Sequence, residues 1–326
     1  MRKIGINFHI RDIVWINLSV FFKLFFNLIS SIVMARLAGA EYFGKFQYVF
    51  SLNCLGDLIL MPGIKSALIN SAARKTEGDF IIAGGKRIRL FPFCFAFFIF
   101  ISISTYLLNR NIDISVSFLI IGFFTSLISL FDYYLQYYLG RQEYKTLFKW
   151  DALIAISSIF AALTYFIGKN MLKLSYVPLS IVIFLPLAWQ LICYFIMSIK
   201  VKKRIVKHNS FSDDFQSYSK NFSLITIVMT LQSNLDKFII GAFFDFKSLA
   251  FYSIGKKFYE SLTYERTFLF QYLQPRFVIM KMNECFRYFK NYLMLCSGLI
   301  LFFAVLWFFI PGLVIALFGK EFLGAT

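Results

Sequence analysis

Long apolar runs alternate with short polar segments along nearly the whole chain. Each run holds roughly 20 residues, which is enough for an α-helix to cross the hydrocarbon core of a bilayer. Short connections between the runs favour antiparallel neighbouring helices. The pattern therefore predicts an all-α protein that crosses the membrane about nine times. The predicted spans are residues 12–37, 46–70, 90–108, 114–140, 150–168, 177–199, 222–245, 248–274 and 290–312.

Polar residues inside several predicted spans recur at steps of three and four, which places them on one helix face. Such stripes predict either an aqueous cavity shared by several helices or hydrogen bonds between neighbouring helices. The residues are Ser19, Lys23, Asn27 and Ser31 in the first span; Asn53, Asp57 and Lys65 in the second; Thr125, Ser129, Asp132 and Gln136 in the fourth; Ser223, Thr226, Thr230, Ser233 and Lys237 in the seventh; and Tyr252, Lys256, Tyr259, Glu260, Thr263 and Arg266 in the eighth.

The charged members of these stripes carry the functional prediction, because an isolated charge in hydrocarbon is costly. Lys23 and Lys65 have no acidic neighbour within one turn of their own helices, which favours a water-filled cavity that holds an anion. Glu260 can pair with Lys256 or with Lys257, and Asp236 can offset the adjacent Lys237. Pairs of this kind are also compatible with a purely structural role.

Composition and charge support a membrane protein. The chain is 59% hydrophobic and 16% charged, whereas soluble domains average about 45–50% and about 25%. A net charge of +17 could indicate a nucleic-acid partner, but the 34 Lys and Arg residues form no basic domain. With the N-terminus inside, 21 of them fall in inner segments, 7 in outer segments and 6 within spans. This bias predicts a cytoplasmic N-terminus and excludes nucleic acid as the partner.

Enzyme signatures do not occur in the sequence. The five Cys and two His are scattered without metal-binding spacing. No nucleotide-binding loop, nucleophile elbow or zinc-protease motif is present, and no predicted loop is large enough for an extramembrane site. We therefore predict a transporter of an anionic substrate, with no catalytic residue, metal or cofactor.

Three stretches resemble the polysaccharide flippases, the Wzx-type O-antigen translocases of the multidrug/oligosaccharidyl-lipid/polysaccharide exporter superfamily. MARLAGAEYFGKFQYVFSL at residues 34–52 and NLDKFIIGAFFDFKSLAFYSIGKKF at residues 234–258 are similar to two family passages, and ALFGKEF at residues 316–322 is similar to a third. Ala250 departs from the family pattern, which usually has Gly there. The matching positions are Arg36, Leu37, Gly39, Glu41, Phe43, Gly44, Asp236, Lys237, Ile240, Gly241, Tyr252 and Lys256.

This resemblance implies translocation of an undecaprenyl-diphosphate-linked oligosaccharide repeat unit across the bacterial inner membrane by alternating access, for O-antigen, capsule or exopolysaccharide assembly. It implies that the diphosphate is bound by cations and that buried carboxylates couple transport to protons or sodium. Membrane lipid and the polymerase and chain-length proteins of the same pathway are further implied partners. The implied substrate-binding residues are Lys23, Lys65, Lys237, Lys256 and Arg266, and the implied ion-coupling residues are Asp57, Asp132 and Asp236.

An internal repeat predicts two parallel halves of six helices. The segment at residues 41–46 overlays the segment at residues 247–252, with a small residue and an aromatic residue recurring in place. Residues 1–221 would form the first half and residues 222–326 the first three helices of the second. On this basis we expect that about three C-terminal helices are missing from the sequence.

Three alternatives remain open. An ion-coupled multidrug antiporter of the same superfamily would need an acidic cavity, whereas the predicted spans hold six cations and five acids. A membrane polysaccharide polymerase would need a large outer loop. A lipid II flippase would use similar chemistry, but that family tends to have more helices and more Arg in the first two.

Overall fold

A computed structural model describes residues 10–205, 211–212, 214–262, 264–278, 312 and 316–318. Helices follow one another through this part of the chain, with no strand between them. A 3₁₀ turn at Asp132–Tyr134 precedes the fifth helix, and a π-helical turn at Ile167–Met171 follows the sixth. The helices are α1 (Ile10–Ile59), α2 (Gly63–Arg74), α3 (Asp79–Asn109), α4 (Ile112–Ile128), α5 (Leu135–Gly140), α6 (Tyr144–Phe166), α7 (Leu179–Ile205), α8 (Phe215–Phe243), α9 (Phe246–Leu262) and α10 (Tyr264–Phe277).

The first predicted span and most of the second fall within α1, whose two helical parts join directly at a kink rather than through a loop. α1 has 50 residues and is interrupted at Gly39, whose φ of 79° and ψ of 169° are not helical. Only glycine occupies this backbone region readily, so the kink depends on that residue. The second predicted span, 46–70, is then broken again at residues 60–62, between α1 and α2.

The predicted fold class is confirmed, but the predicted count of nine spans is too high for the described residues. Four helices are long and apolar enough to cross a membrane: Arg11–Asn53, Asp79–Leu107, Tyr144–Met171 and Leu179–Ile205. A fifth is gained if Ile112–Ile128 and Asp132–Gly140, bent by 44°, form one broken span. α8 carries many polar residues and α9 has only 17 residues. The ninth predicted span, 290–312, lies almost entirely outside the described residues.

Several predicted boundaries are also wrong. The third helix begins at Asp79, 11 residues before the predicted start, because its charged first turns are helical although they are not apolar. The fourth predicted span, 114–140, is bent between α4 and α5. The eighth, 248–274, is divided between α9 and α10. Apolar periodicity locates hydrophobic stretches, but it does not detect helices that continue beyond them.

The bundle has two ends that differ in chemistry. The N-terminal end, where α1 begins, holds the ion pairs Glu77–Arg141, Glu143–Arg204 and Asp12–Arg276. Its core is rich in tyrosine, and its cations lie over aromatic rings, as Arg276 lies 3.8 Å from the Tyr272 ring centroid. The kink end, around Gly39, is packed with Phe, Ile and Leu. There Asp113 accepts hydrogen bonds from the Tyr176 hydroxyl and from the Leu179 N–H at 2.5 and 2.9 Å.

The two predicted halves meet closely at the kink end. α9 packs along α1, and the backbone carbonyl of Phe246 lies so near Gly44 that a Cβ there would be 1.7 Å from its oxygen. The Tyr48 ring stacks on Phe238 at 6.2 Å between centroids. Such a backbone-to-backbone approach requires glycine at position 44.

The helix breaks repeat at the spacing found in the sequence. The turn between α8 and α9 contains Asp245, which lies 206 positions after Gly39. α8 has 29 residues, the same number as α1 from Ile10 to the residue before the kink. The turn is closed by the Ser248 N–H and hydroxyl, which donate to Asp245 at 2.6 and 2.9 Å and lower the pKa of that carboxyl. One half thus bends at a glycine and the other at a capped turn.

Gly44→Ala is expected to lower the melting temperature of the purified protein. The added methyl group must push α9 away from α1, and overpacking of this kind costs about 1–3 kcal/mol. Gly85→Ala on α3 is the matched control, because a Cβ at that position meets nothing within 4 Å. Thermal unfolding in detergent measures both variants. Equal melting temperatures for the two would contradict the close α1–α9 approach.

Candidate functional site

Polar groups of α8 and α9 converge in what we call the lysine cluster: Lys237, Lys256 and Lys257 with Asp236, Tyr252 and Glu260. Lys256 Nζ lies 2.9 Å from Asp236 Oδ1 and 2.6 Å from Oδ2. It also donates to the Ser233 carbonyl. Asp236 accepts further hydrogen bonds from the Tyr252 hydroxyl and from the Lys237 N–H, the latter at 2.7 Å. The carboxylate thus receives donors from both helices.

The adjacent charges Asp236 and Lys237 form ion pairs with different residues. Lys237 Nζ lies 3.7 Å from Glu260 Oε1, while Asp236 holds Lys256. Each ion pair therefore joins α8 to α9. Spacing along one helix offered Asp236 as a partner of Lys237 and Glu260 as a partner of Lys256 or Lys257, whereas the ion pairs in the structure are Asp236–Lys256 and Glu260–Lys237. Sequential neighbours on a helix point about 100° apart, so they reach different partners.

The lysine cluster also reaches α1. Lys257 Nζ donates to Asn27 Oδ1 at 2.7 Å, which links the second predicted half to the first. Asn27 belongs to the polar stripe predicted on the first span, which lies in α1. The stripe predicted on the eighth span, which corresponds to α9, includes Lys256 and Glu260. The stripes therefore predicted the right helices, although the individual partners could not be assigned from spacing alone.

Lys23 has a partner that the sequence analysis missed. Its Nζ lies 2.7 Å from Asp151 Oδ1 on α6, and the Ser19 hydroxyl donates to the other oxygen of this carboxylate. Asp151 is only 1% exposed. The predicted fifth span began at residue 150, one position before Asp151, whereas α6 starts at Tyr144 and buries this residue inside the helix. The signal available in the sequence was the charge of Asp151 itself, which lies about two turns inside α6.

Lys65 and Asp132 form the third pair, with Nζ and Oδ2 2.7 Å apart. Both lie beside a helix break: Lys65 in the first turn of α2, and Asp132 in the 3₁₀ turn between α4 and α5. The sequence analysis placed both residues in the site but in different roles. The inference that Lys23 and Lys65 lack carboxylate partners is wrong, because the partners lie on other helices.

Two predicted site residues cannot be placed. The side chains of Asp57 in α1 and Arg266 in α10 lie outside the described part of the structure. The other six are distributed over three groups: the lysine cluster with Lys237, Lys256 and Asp236; the Lys65–Asp132 pair; and the Lys23–Asp151 pair. Among the described residues, no group of three or more His, Cys, Asp or Glu side chains could hold a metal ion.

The architecture defines a helical membrane protein whose charged groups are paired across helices. The chain belongs to the polysaccharide biosynthesis protein family, whose sequence profile matches residues 33–325. This agrees with the resemblance to polysaccharide flippases found in the sequence. Comparison with curated proteins and with solved structures found no match.

Breaking the Lys23–Asp151 pair is expected to destabilise the protein. Lys23→Met leaves the Asp151 carboxylate buried without its cation, and loss of one partner of a buried pair costs about 3–5 kcal/mol. Lys23→Met combined with Asp151→Asn should recover most of that loss, because no unpaired charge remains. Thermal unfolding of the two single variants and the double variant gives the coupling energy.

Glu41→Gln serves as the control for this cycle. Glu41 pairs with Lys45 at 2.7 Å, but its side chain is 72% exposed. Removal of an exposed pair changes stability by about 0–1 kcal/mol. If the Lys23→Met and Asp151→Asn effects simply add, the two side chains are not coupled and the pairing is incorrect.

Proposed function

We propose that this protein translocates a polyprenyl-diphosphate-linked oligosaccharide, an undecaprenyl-diphosphate-linked repeat unit, from the cytoplasmic to the outer leaflet of the bacterial inner membrane. The observation that carries the proposal is the lysine cluster at the contact between α1, α8 and α9. Three ammonium groups and two carboxylates meet there inside an otherwise apolar bundle. A diphosphate needs cations if it is to leave water, and ammonium groups already held by carboxylates can be exchanged onto it.

The surroundings of the cluster suit the rest of such a substrate. Tyr252 and Tyr259, which are exposed on α9 next to the lysines, offer ring faces and hydroxyls to a sugar. The outer face of α8 exposes Leu224, Ile225 and Val228, each by more than half. A polyprenyl chain can stay against such a surface, or in lipid, while the headgroup passes through the polar region. The substrate would therefore be divided between two neighbouring faces.

Alternating access supplies the mechanism of the proposal. The repeated breaks at Gly39 and Asp245, together with the tight contact between Gly44 and Phe246, support two related halves that meet along α1, α8 and α9. Opening one end of the contact and closing the other would expose the cluster to each side in turn. Both helices that carry the charges of the cluster, α8 and α9, belong to the surfaces that would move.

Ion coupling belongs to the same proposal. Asp132 and Asp236 each hold a lysine in the described state, so a proton or sodium ion that takes the carboxylate would release the ammonium group for the substrate. Asp57 remains a third proposed coupling residue. Competition of this kind links the charge state of the acid to anion binding.

Loss of the Lys237–Glu260 pair is expected to stop translocation without loss of the protein. Lys237→Gln combined with Glu260→Gln removes both charges of this ion pair together, so membrane abundance should be preserved. Transport should fall about tenfold or more, since a charge-assisted hydrogen bond contributes about 1.5–3 kcal/mol. The assay places each variant in a strain that lacks the gene and measures which leaflet holds the lipid-linked oligosaccharide. Lys220→Gln, on the exposed first turns of α8, is the control and should transport normally.

The same strain separates the alternative functions. Lipid-linked oligosaccharide that builds up on the cytoplasmic face, relieved by the wild-type gene, supports a flippase. Normal distribution between leaflets with unpolymerised units would indicate a polymerase. Altered drug sensitivity without a lipid change would indicate an antiporter, and build-up of the peptidoglycan precursor would indicate a lipid II flippase.

A cytoplasmic N-terminus is part of the proposal and has its own test. In a chain whose five native cysteines are replaced, Asn170→Cys at the kink end should react with a membrane-impermeant thiol reagent in intact cells. Lys203→Cys at the N-terminal end should react only after the membrane is opened, because basic segments are retained in the cytoplasm. Both positions are exposed on the protein surface. The reverse labelling pattern would show the opposite orientation.

A further inference from the structure

Arg87 on α3 is buried completely and has no polar partner. Its exposed fraction is 0%, and it is the largest fully buried side chain in the described part of the chain. None of the three guanidinium nitrogens, Nε, Nη1 and Nη2, has a hydrogen-bond partner. A guanidinium group stays protonated in proteins, so it cannot lower the cost of burial by losing its charge. Five donor hydrogens therefore need an acceptor that the described residues do not supply.

The α3 face that carries Arg87 contacts the turn at Asp132–Tyr134, and a second cation, Lys65, contacts the same turn from α2. The Tyr133 hydroxyl lies against Gly84, where a Cβ would be 2.7 Å from its oxygen. Gly84 and Arg87 are three residues apart and share a helix face, and Arg87 acts electrostatically on Tyr133. Tyr133 follows Asp132, which holds Lys65 at 2.7 Å. Arg87 and Lys65 thus approach the same 3₁₀ turn from α3 and α2.

Among the described side chains, Asp132 places a carboxylate beside the turn that these two cations approach. Asp132 Oδ2 is held by Lys65, while Asp132 Oδ1 is buried without a hydrogen bond, and Arg87 forms no ion pair with it. Lys65 is 31% exposed and so forms the rim of the group. It also lies in the first turn of α2, where the helix dipole favours a negative charge. The region thus has a fully buried cation, Arg87, and a partly exposed cation, Lys65.

We propose that Arg87, with Lys65, forms a binding site for a phosphate-class anion between α2, α3 and the turn that precedes α5. The planar guanidinium group matches the oxygens of a phosphate in a bidentate arrangement, and Lys65 would add a point charge from the rim. The anion could come from a lipid headgroup or from a soluble phosphate, since the chemistry is the same. This site is separate from the lysine cluster but shares Lys65 with the proposed coupling pair Lys65–Asp132, so anion binding is measured on the purified chain, where it can be found or lost independently of translocation.

The sequence analysis counted Arg87 among the basic residues of a loop. The structure places it on the buried face of α3 with Phe80, Ala83 and Cys94, which recur at helical spacing. A charged residue in register with that apolar face was the available signal. It was obscured because the predicted third helix began at residue 90.

Binding is tested by thermal unfolding of the purified chain. Sodium pyrophosphate should raise the melting temperature of the wild type by about 5 °C above sodium chloride of equal ionic strength. Arg87→Gln should abolish this rise in melting temperature. Arg87→Lys keeps the positive charge but loses the bidentate geometry of the guanidinium group, so it should keep only part of the rise. Lys220→Gln should respond as the wild type does. A second series in nanodiscs compares phosphatidylglycerol with phosphatidylcholine.

A matched arginine separates ligand binding from a structural role. Arg141 is ion-paired with Glu77, whose side chain is 1% exposed, so Arg141→Gln should melt lower than the wild type without any anion. Arg87→Gln should melt no lower than the wild type, because it removes an unpaired charge. A rise of the melting temperature in detergent that requires Arg87 indicates a soluble anion. A rise that requires Arg87 but occurs only in phosphatidylglycerol nanodiscs indicates a lipid headgroup. An equal rise in Arg87→Gln, or no rise in either series, overturns the proposal.

Discussion

The cost of a charge in hydrocarbon determines which helices of this protein must touch. Lys23, Lys65 and Lys256 each find their carboxylate on a different helical segment, so two of the pairs fix segments that are distant in sequence and the third fixes the consecutive helices α8 and α9. Apolar side chains cannot provide such register, since lipid is as good a neighbour for leucine as another helix is. The ion pairs therefore specify the bundle, while small residues such as Gly44 set how closely its helices approach.

The sequence was sufficient for the fold class and for the helices that carry the polar groups. Stripes at steps of three and four selected α1, α8 and α9, because residue spacing fixes a helix face independently of tertiary structure. The partners of each charge were not accessible in this way. Asp151 lies 132 positions from Ser19, and Asn27 lies 230 positions from Lys257. Which faces meet is decided by packing of the whole bundle.

Helix boundaries were also predicted incompletely from the sequence. Hydropathy detected the apolar parts of α3 and α6 but not their charged first turns, which are helical and bury Arg87 and Asp151. Arg87 was therefore counted in a loop, and Asp151 fell at the very start of a predicted span. A break such as that between α4 and α5 is likewise invisible in composition, because Phe131 and Asp132 are ordinary helix residues.

The contact between Gly44 and the Phe246 carbonyl has a mechanical consequence. Two helices that touch through backbone atoms can turn about that point with little change in side-chain packing, so it is suited to act as a pivot. A turn of about 10° there would displace groups at the opposite end of a bundle about 30 Å thick by about 5 Å. The lysines, which lie between this contact and the N-terminal end, would move less than the groups at that end.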